Sequence, residues 1–417
     1  MSGNPGAKED LPDLLYSDTE RALSDALATL LADRGGTDSV LKRIESAQTY
    51  DDKLWEAVAA DLGCAGLLIA ERDGGAGASY REAAAAAEVL GAHVAPVPFL
   101  GSAVVATAAL LSVGSQGSLL AKMAGGGVTA ALAVPFSSAP GAAYPSLVRV
   151  AGPRPGDAAG TARLRGMVTG VADALPAGVL LVPADGVPHG LYLVDMAADG
   201  VGKAPVTSLD MTRQLCDLSF DDAPATLMAS GQAASLALDA ALAAGAGVLA
   251  AEQIGLAQRC LDMTIAYVKE RKQFARPVGS FQALKHRLAD LWVSVTQARA
   301  ASRYAAACLA AGDPDAKVAV ALAKAYCSEV AVTAAQECVQ LHGGIGFTWE
   351  HPAHLYLKRA KADSIGFGTA DAHRAALASL VDLPAKCPVR PPPRPPAGGA
   401  AAAGPPVRRR RRTTAGR

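Results

Sequence analysis

The chain has 417 residues, 39 Lys and Arg against 39 Asp and Glu, 51% apolar residues and only 5% aromatic ones. The apolar share excludes a mostly disordered chain, and the length suits two or three domains or one large multi-part subunit. The zero balance argues against a nucleic-acid-binding body, although a sum can conceal opposite halves.

Residues 1–120 read as a helical domain. Met1 to Pro12 has no apolar stretch with basic flanks, so no secretory signal is expected there. Ser17 and Glu20 form a capping-box pattern that opens an apolar-periodic helix running to Ala32. A second helix spans Leu54 to Leu62 and ends at Gly63. A glycine loop from Glu71 to Ser79 then leads into a helix from Tyr80 to Leu90, stopped by Gly91.

Over 121–228 the texture changes to short apolar runs, Val128–Val134, Val179–Pro183, Leu191–Val194 and Leu215–Phe220, separated by Gly, Pro and Asp clusters. This spacing predicts a small β-domain, with loops at Ser137–Gly141 and Pro153–Asp157. The helical period returns over 229–385, in Ser235–Lys272, Phe281–Ala311, Asp315–Leu341 and Ala370–Leu380. Four helices with short connections predict an antiparallel bundle. The longest apolar run, Ala233 to Ala251, is mostly Ala and Gly with Asp239 inside. Such residues contribute little transfer energy, so the run predicts a bundle-core helix, and no membrane association is expected. Residues 386–417, mostly Pro, Gly, Ala and Arg, cannot build a core and read as a disordered tail.

The seven cysteines, Cys64, Cys216, Cys260, Cys308, Cys327, Cys338 and Cys387, are scattered singly. No zinc site or disulfide framework is expected, and the pattern fits a reducing cytoplasmic compartment.

Two segments could carry chemistry. The loop from Glu270 to Gly279 joins two long helices and places Arg271, Lys272 and Arg276 beside Gln273 and Phe274, with Phe281 and Gln282 opening the next helix. It reads either as a solvated charged connector or as an anion clamp in which Arg271 grips a phosphate. The run from Gln340 to Thr348 ends a helix in three glycines, Gly343, Gly344 and Gly346. It reads either as a helix cap or as a place where backbone approaches a ligand closely. His189, His286 and His342 stand alone without a nucleophile signature and read as structural. Glu252, inside an Ala-rich helix, requires a partner or a subunit seam.

Together these segments resemble the acyl-CoA dehydrogenases over most of residues 15–382. The first domain carries Leu54-Trp-Glu56, the run Asp61 to Leu68, and Asp73 to Gly77. The last carries Gly255 to Arg259, Tyr267 to Phe274, Phe281-Gln282, Leu288 to Asp290 and Gln340 to Phe347, in the family's order and spacing. The resemblance implies a mainly α fold with a β-domain: an N-terminal α-helical domain, a middle β-domain and a C-terminal four-helix bundle. It implies an FAD shared across a dimer seam, an acyl-CoA substrate and an electron-transfer flavoprotein as acceptor. Arg271, Gln273, Phe274 and Gln282 would contact a neighbour's FAD. Gln340, Leu341, His342, Gly343 and Gly344 would line its adenine end, and Thr369 matches a further FAD-contact position.

The sequence departs from the family where the chemistry needs a base. The family's chemistry uses a carboxylate to remove the α-proton of the acyl thioester while the β-hydride goes to the flavin. The commonest position of that carboxylate falls here on Phe367, and the alternative on or near Gly245. The nearest acids, Asp239, Glu252, Asp363 and Asp371, are offset by about a turn or more. In the β-domain the flavin-side segments correspond to Ala133–Pro135 and Gly166–Gly170, without the usual flavin-facing Thr, Lys and Trp. A kept cross-seam half beside an eroded own half suggests the subunit of a heteromer, a two-plus-two assembly with a homologous catalytic subunit, of the kind associated with bulky or sterol acyl-CoA substrates. A self-sufficient homo-oligomer with a displaced base and a catalytically dead structural subunit are the alternatives.

The neutral balance is itself a sum of opposite parts. Residues 386–417 hold nine cations and no acid, leaving 30 cations against 39 acids in the body. An arginine run of this kind can bind nucleic acid or an anionic membrane, but a plain solvated tail is the expectation, with neither as partner. Deleting residues 386–417 is expected to leave FAD binding and assembly unchanged, as measured by flavin absorbance and size-exclusion chromatography.

Overall fold

The computed structural model describes residues 12–381 apart from 47, 49, 115 and 153–159. The expected loop at Pro153–Asp157 and the tail at 386–417 therefore lie outside the described residues. The N-terminal part holds α1 (Asp18–Arg34), α2 (Thr37–Ile44), α3 (Asp52–Glu56, continued by a π-turn Ala57–Asp61), α4 (Tyr80–Ala92), α5 (Thr107–Val113, entered through a π-helix Phe99–Ala106) and α6 (Gly117–Ala124). The Ser17/Glu20 capping box forms as expected. Glu20 also takes Arg81 at 2.9 Å and Arg303 at 2.8 Å, joining the first domain to the last. Burial works against its charge, but the two guanidiniums hold its pKa down to about 2.

The middle part holds β1 (Ala130–Leu132), β2 (Val148–Ala151), β3 (Thr161–Ala172), β4 (Val179–Ala184), β5 (Gly190–Asp195), β6 (Val201–Val206) and β7 (Leu215–Ser230). They form one sheet in the order β1-β4-β5-β7-β3-β2, with β6 also on β7. Only β1–β4 is parallel. The four expected apolar runs fall on β1, β4, β5 and β7, whereas β2, β3 and β6 are additional.

The last part holds α7 (Gln232–Glu270), a two-strand ribbon β8 (Lys272–Gln273) and β9 (Arg276–Pro277), then α8 (Gln282–Ala311), α9 (Ala316–His342), α10 (Ala353–Asp363) and α11 (Ala370–Leu380). The four expected helices are present, and α10 is an extra one. By length and composition α7 and the segment Ala316–Phe347 could each cross a membrane, but 67% of each such window is buried inside the protein. Most of their apolar residues belong to the core, with Leu236 and Leu322 among the exposed exceptions.

One apolar core runs through both helical parts, and a second fills the sheet. The helical parts meet where α4 crosses α7, and glycine is required on both sides. A Cβ on Gly91 would lie 2.1 Å from the Glu252 carbonyl oxygen, and one on Gly255 would lie 1.7 Å from that of Glu88. Backbone faces backbone there, so neither contact can relax by a rotamer change. Gly255→Ala is expected to destabilise the chain by about 1–3 kcal/mol or more through overpacking, read by chemical or thermal unfolding.

Candidate functional site

The sheet and the bundle enclose a cleft of about 780 Å³. Pro135, Phe136 and Ser137 approach from the segment after β1, Thr169 and Gly170 from β3, Ser208, Leu209, Asp210 and Arg213 from the β6–β7 connection, and Lys361, Ala362, Ser364 and Ile365 from α10 and the turn after it. The two flavin-side segments expected from the sequence thus meet in one cleft. Ser137 and Thr169 keep hydroxyls in its wall, so the loss of polar groups is less complete than the sequence suggested.

The two positions where a catalytic carboxylate was sought are neighbours in space. Phe367 is buried, with a φ of +50°, and its N–H donates to the Phe136 carbonyl at 2.8 Å. Its ring meets Phe136 edge-on at 5.4 Å between centroids. A Cβ on Gly245 would stand 2.8 Å from the Phe367 ring and 2.9 Å from Val105, and one on Gly366 would stand 2.4 Å from Phe136. An aromatic ring on a glycine thus occupies the volume between the two positions. The missing Gly245 side chain makes room for Phe367, and the missing Gly366 side chain makes room for Phe136.

None of the four nearby acids opens toward this cleft as a free base. Asp239 accepts from Lys317 at 2.6 Å and from the Gly141 N–H at 2.8 Å. Asp371 is exposed and pairs with Arg374 at 3.2 Å. Glu252 takes both oxygens to Arg213, at 2.6 and 2.7 Å, and lies 3.0 Å from Arg359 Nε, which gives it the partners its burial requires.

Asp363 belongs to the same buried network. Arg213 also faces Asp173 at 3.8 Å and Asp363 at 3.6 Å, while Arg359 reaches Asp210 at 3.1 Å. Among the described residues neither Asp363 oxygen accepts a hydrogen bond. Burial, with the Glu252 charge beside it, pushes the Asp363 pKa up to about 8. Its neighbour Lys324 is fully buried and pushed down to about 8 by burial. Its Nζ donates to Ser328 Oγ at 2.8 Å and to the carbonyls of Asp363 at 3.0 Å and Gly368 at 3.2 Å. Lys324 therefore clamps both ends of the turn that carries Phe367.

The remaining candidate residues form a different face, at the far end of the bundle. The β8–β9 ribbon turns through Phe274 and Ala275, both left-handed with φ of +53° and +60°, a two-residue turn without glycine. Phe274 is 87% exposed and packs edge-on against Phe281. Arg271, Gln273 and Gln282 are exposed. Among the described residues no carboxylate lies within 4.0 Å of Arg271, Lys272 or Arg276.

The end of α9 joins this face through Tyr267, whose ring stacks on His342 at 4.5 Å. His342 is buried, with Nδ1 2.6 Å from the Cys338 carbonyl and His351 against its other side at 4.2 Å. Its ring is committed to packing, which leaves its backbone, with Gln340, Leu341, Gly343 and Gly344, to meet a ligand. A Cβ at Gly343 or Gly344 would meet nothing within 4 Å, so this backbone is open to close approach. Thr369 is not brought here. It caps α11, accepting from the Ala372 N–H at 3.3 Å, and lines a separate cavity with Ser328 and Thr333. Thr333 lies seven residues before Gln340, about 10 Å along α9.

The chain is similar to known proteins over nearly its whole described length. The family model described as "Acyl-CoA dehydrogenase, N-terminal domain" matches residues 17–125, and "Acyl-CoA dehydrogenase, C-terminal domain" matches 235–381. Acyl-CoA dehydrogenase IpdE2 of Mycobacterium tuberculosis is 34% identical over 338 residues, 81% of this chain and 89% of that protein. Among solved structures, the ChsE4-ChsE5 complex from Mycobacterium tuberculosis matches with a TM-score of 0.78 and 26% identity, over 90% of this chain and 100% of that one. A variant of the Tcur3481-Tcur3483 steroid ACAD matches with a TM-score of 0.74 and 28% identity, over 88% and 98%.

The buried network sets a pH test. Folded, Asp363 keeps its proton up to about pH 8, whereas unfolded it releases it near pH 4. Its contribution is therefore complete below pH 4 and is lost as pH rises through the folded value. Asp363→Asn keeps the shape without the titration. Relative to wild type, its stability is expected to improve from pH 5 to about pH 8 and to level off above that in urea unfolding; a difference that does not vary with pH would contradict the assignment.

Proposed function

The chain belongs to the acyl-CoA dehydrogenase family of FAD-dependent oxidoreductases, and from that premise we propose that it completes the FAD site of a homologous catalytic partner. The observation that carries this reading is the Phe367 ring seated on Gly245, with Phe136 beside it, where an acyl thioester would need a carboxylate. Neither residue can take a proton; Asp239, Glu252 and Asp371 are paired elsewhere, and Asp363 is buried behind the cleft beside Arg213 and Glu252. The opposite end of the molecule keeps what a nucleotide needs. Its exposed cations lack carboxylate partners, and its glycine backbone is open to close contact.

In the family's reaction FAD supplies the flavin that accepts the β-hydride. Arg271, Gln273, Phe274 and Gln282 would hold the diphosphate and adenosine of that FAD from across the seam, and the backbone from Gln340 to Gly344 would line the adenine. Thr369, on the separate cavity, belongs to this chain's own side of the seam. The partner's carboxylate would remove the α-proton, so this chain's residues bind and orient without moving a proton. The paired names of two structural relatives support a heteromer, and the word steroid in one of them supports a bulky acyl-CoA substrate. An electron-transfer flavoprotein as acceptor and a cytoplasmic location complete the reading.

The test is to purify the chain alone and together with its homologous partner. Alone it is expected to hold little FAD and to give no acyl-CoA-dependent flavin bleaching; with the partner both appear. Full FAD content and turnover by the chain alone would overturn the proposal. A complex without FAD would point instead to a structural subunit.

A further inference from the structure

The β8–β9 ribbon presents two cations that the family pattern does not assign, Lys272 and Arg276. Across this antiparallel pair Gln273 stands directly opposite Arg276, and Lys272 opposite Pro277. Residues directly opposite in an antiparallel ribbon project from the same face, and the next pair projects from the other. Arg276 therefore shares its face with Gln273, while Lys272 lies on the reverse. The Arg276 guanidinium carbon sits 4.0 Å from the centroid of the Phe281 ring, which also receives the edge of Phe274. This cation–π contact holds the guanidinium against the ring, and among the described residues no hydrogen-bond acceptor takes its N–H donors.

No described carboxylate lies within 4.0 Å of that guanidinium, and the side chain is exposed. The ribbon reaches this geometry by holding two consecutive non-glycine residues, Phe274 and Ala275, at positive φ. Such backbone is unfavourable for residues with a side chain and marks a constraint beyond connecting two helices. A relaxed longer loop would join α7 to α8 equally well but would not set Arg276 against Phe281 and level with Gln273.

We infer that Arg276 is a further anion-binding residue of the shared FAD site, a guanidinium pre-aligned by Phe281 to receive the cofactor's diphosphate from the partner side. This rests on the partner reading above. Its chemistry is recognition of a nucleotide diphosphate: phosphate oxygens accept from its N–H donors, and the contact with Phe281 limits the side-chain entropy lost on binding.

The experiment compares FAD dissociation constants of three complexes, each formed between the partner and this chain as wild type, Arg276→Gln or Lys272→Gln. Flavin fluorescence follows binding, and size-exclusion chromatography checks that assembly is intact. Arg276→Gln is expected to weaken FAD binding roughly tenfold or more, and Lys272→Gln, with the same charge change on the reverse face, less than threefold. Arg276→Lys, which keeps charge without the planar fork, is expected to fall between wild type and Arg276→Gln. Wild-type affinity in Arg276→Gln, or equal losses in Arg276→Gln and Lys272→Gln, would overturn the inference while leaving the partner reading intact. A wild-type complex that binds no FAD would defeat both.

Discussion

The buried network of Arg213, Glu252, Arg359 and Asp363 is the interaction on which the molecule's arrangement depends. Arg213 comes from the sheet domain, Glu252 from α7, and Arg359 and Asp363 from α10. Asp173, at the end of β3, adds the Gly101 N–H at 2.9 Å and so draws in the N-terminal domain. Buried charges persist only when paired, so removing Arg213, Glu252 or Arg359 would strand its partners, while Asp363 joins them as a buried acid held protonated. The network therefore locks the three parts in one relative position instead of letting them slide on apolar surfaces. By fixing α10 it also fixes where the following turn begins, and Lys324 holds that turn from Asp363 to Gly368.

The position of Phe367 follows from that chain of constraints. A left-handed backbone at Phe367 directs its ring onto Gly245, and the turn's carbonyls are already committed to Lys324 and His373. The same fold that in an acyl-CoA dehydrogenase surrounds a reactive thioester here surrounds two packed aromatic rings. The two packed rings stand apart from the β8–β9 ribbon and the end of α9, which are held by their own contacts. These are Phe274 and Arg276 on Phe281, and Tyr267 on His342. Along α7, Gly245 and Glu270, where the helix ends before the ribbon, are separated by 25 residues, about 38 Å of helix.

Much of this was legible from sequence alone. Helical periodicity located α7, α8 and α9, whose buried stripes are long, and also the short α11, whose only buried residue is His373. The motifs from Tyr267 to Phe274 and Gln340 to Phe347 stood out because clustered glycines and cations need no tertiary context to be noticed. Strands β3 and β6 were not legible. Arg163, Arg165, Lys203 and Pro205 interrupt them, and β6 has no fully buried position, so no apolar run betrays it. Helix α10 hid behind three cationic residues, Lys358, Arg359 and Lys361, one of which, Arg359, is buried by pairing. The two-residue turn at Phe274-Ala275 carries neither Gly nor Asn, so its hairpin left no local signal. The charge network was invisible because its members come from separate parts of the chain and meet only in the folded state. For the same reason the sequence showed that both base positions were empty of carboxylate but not that they face each other.

The central claim, one functional flavin face per pair of unlike subunits, is tested most directly by counting cofactor. Absorbance of FAD released from the co-purified complex, set against protein concentration, gives the number bound. The account predicts one FAD for each copy of this chain paired with its homologous partner. Two FAD per pair would contradict it, since this chain's own cleft would then hold a flavin as well.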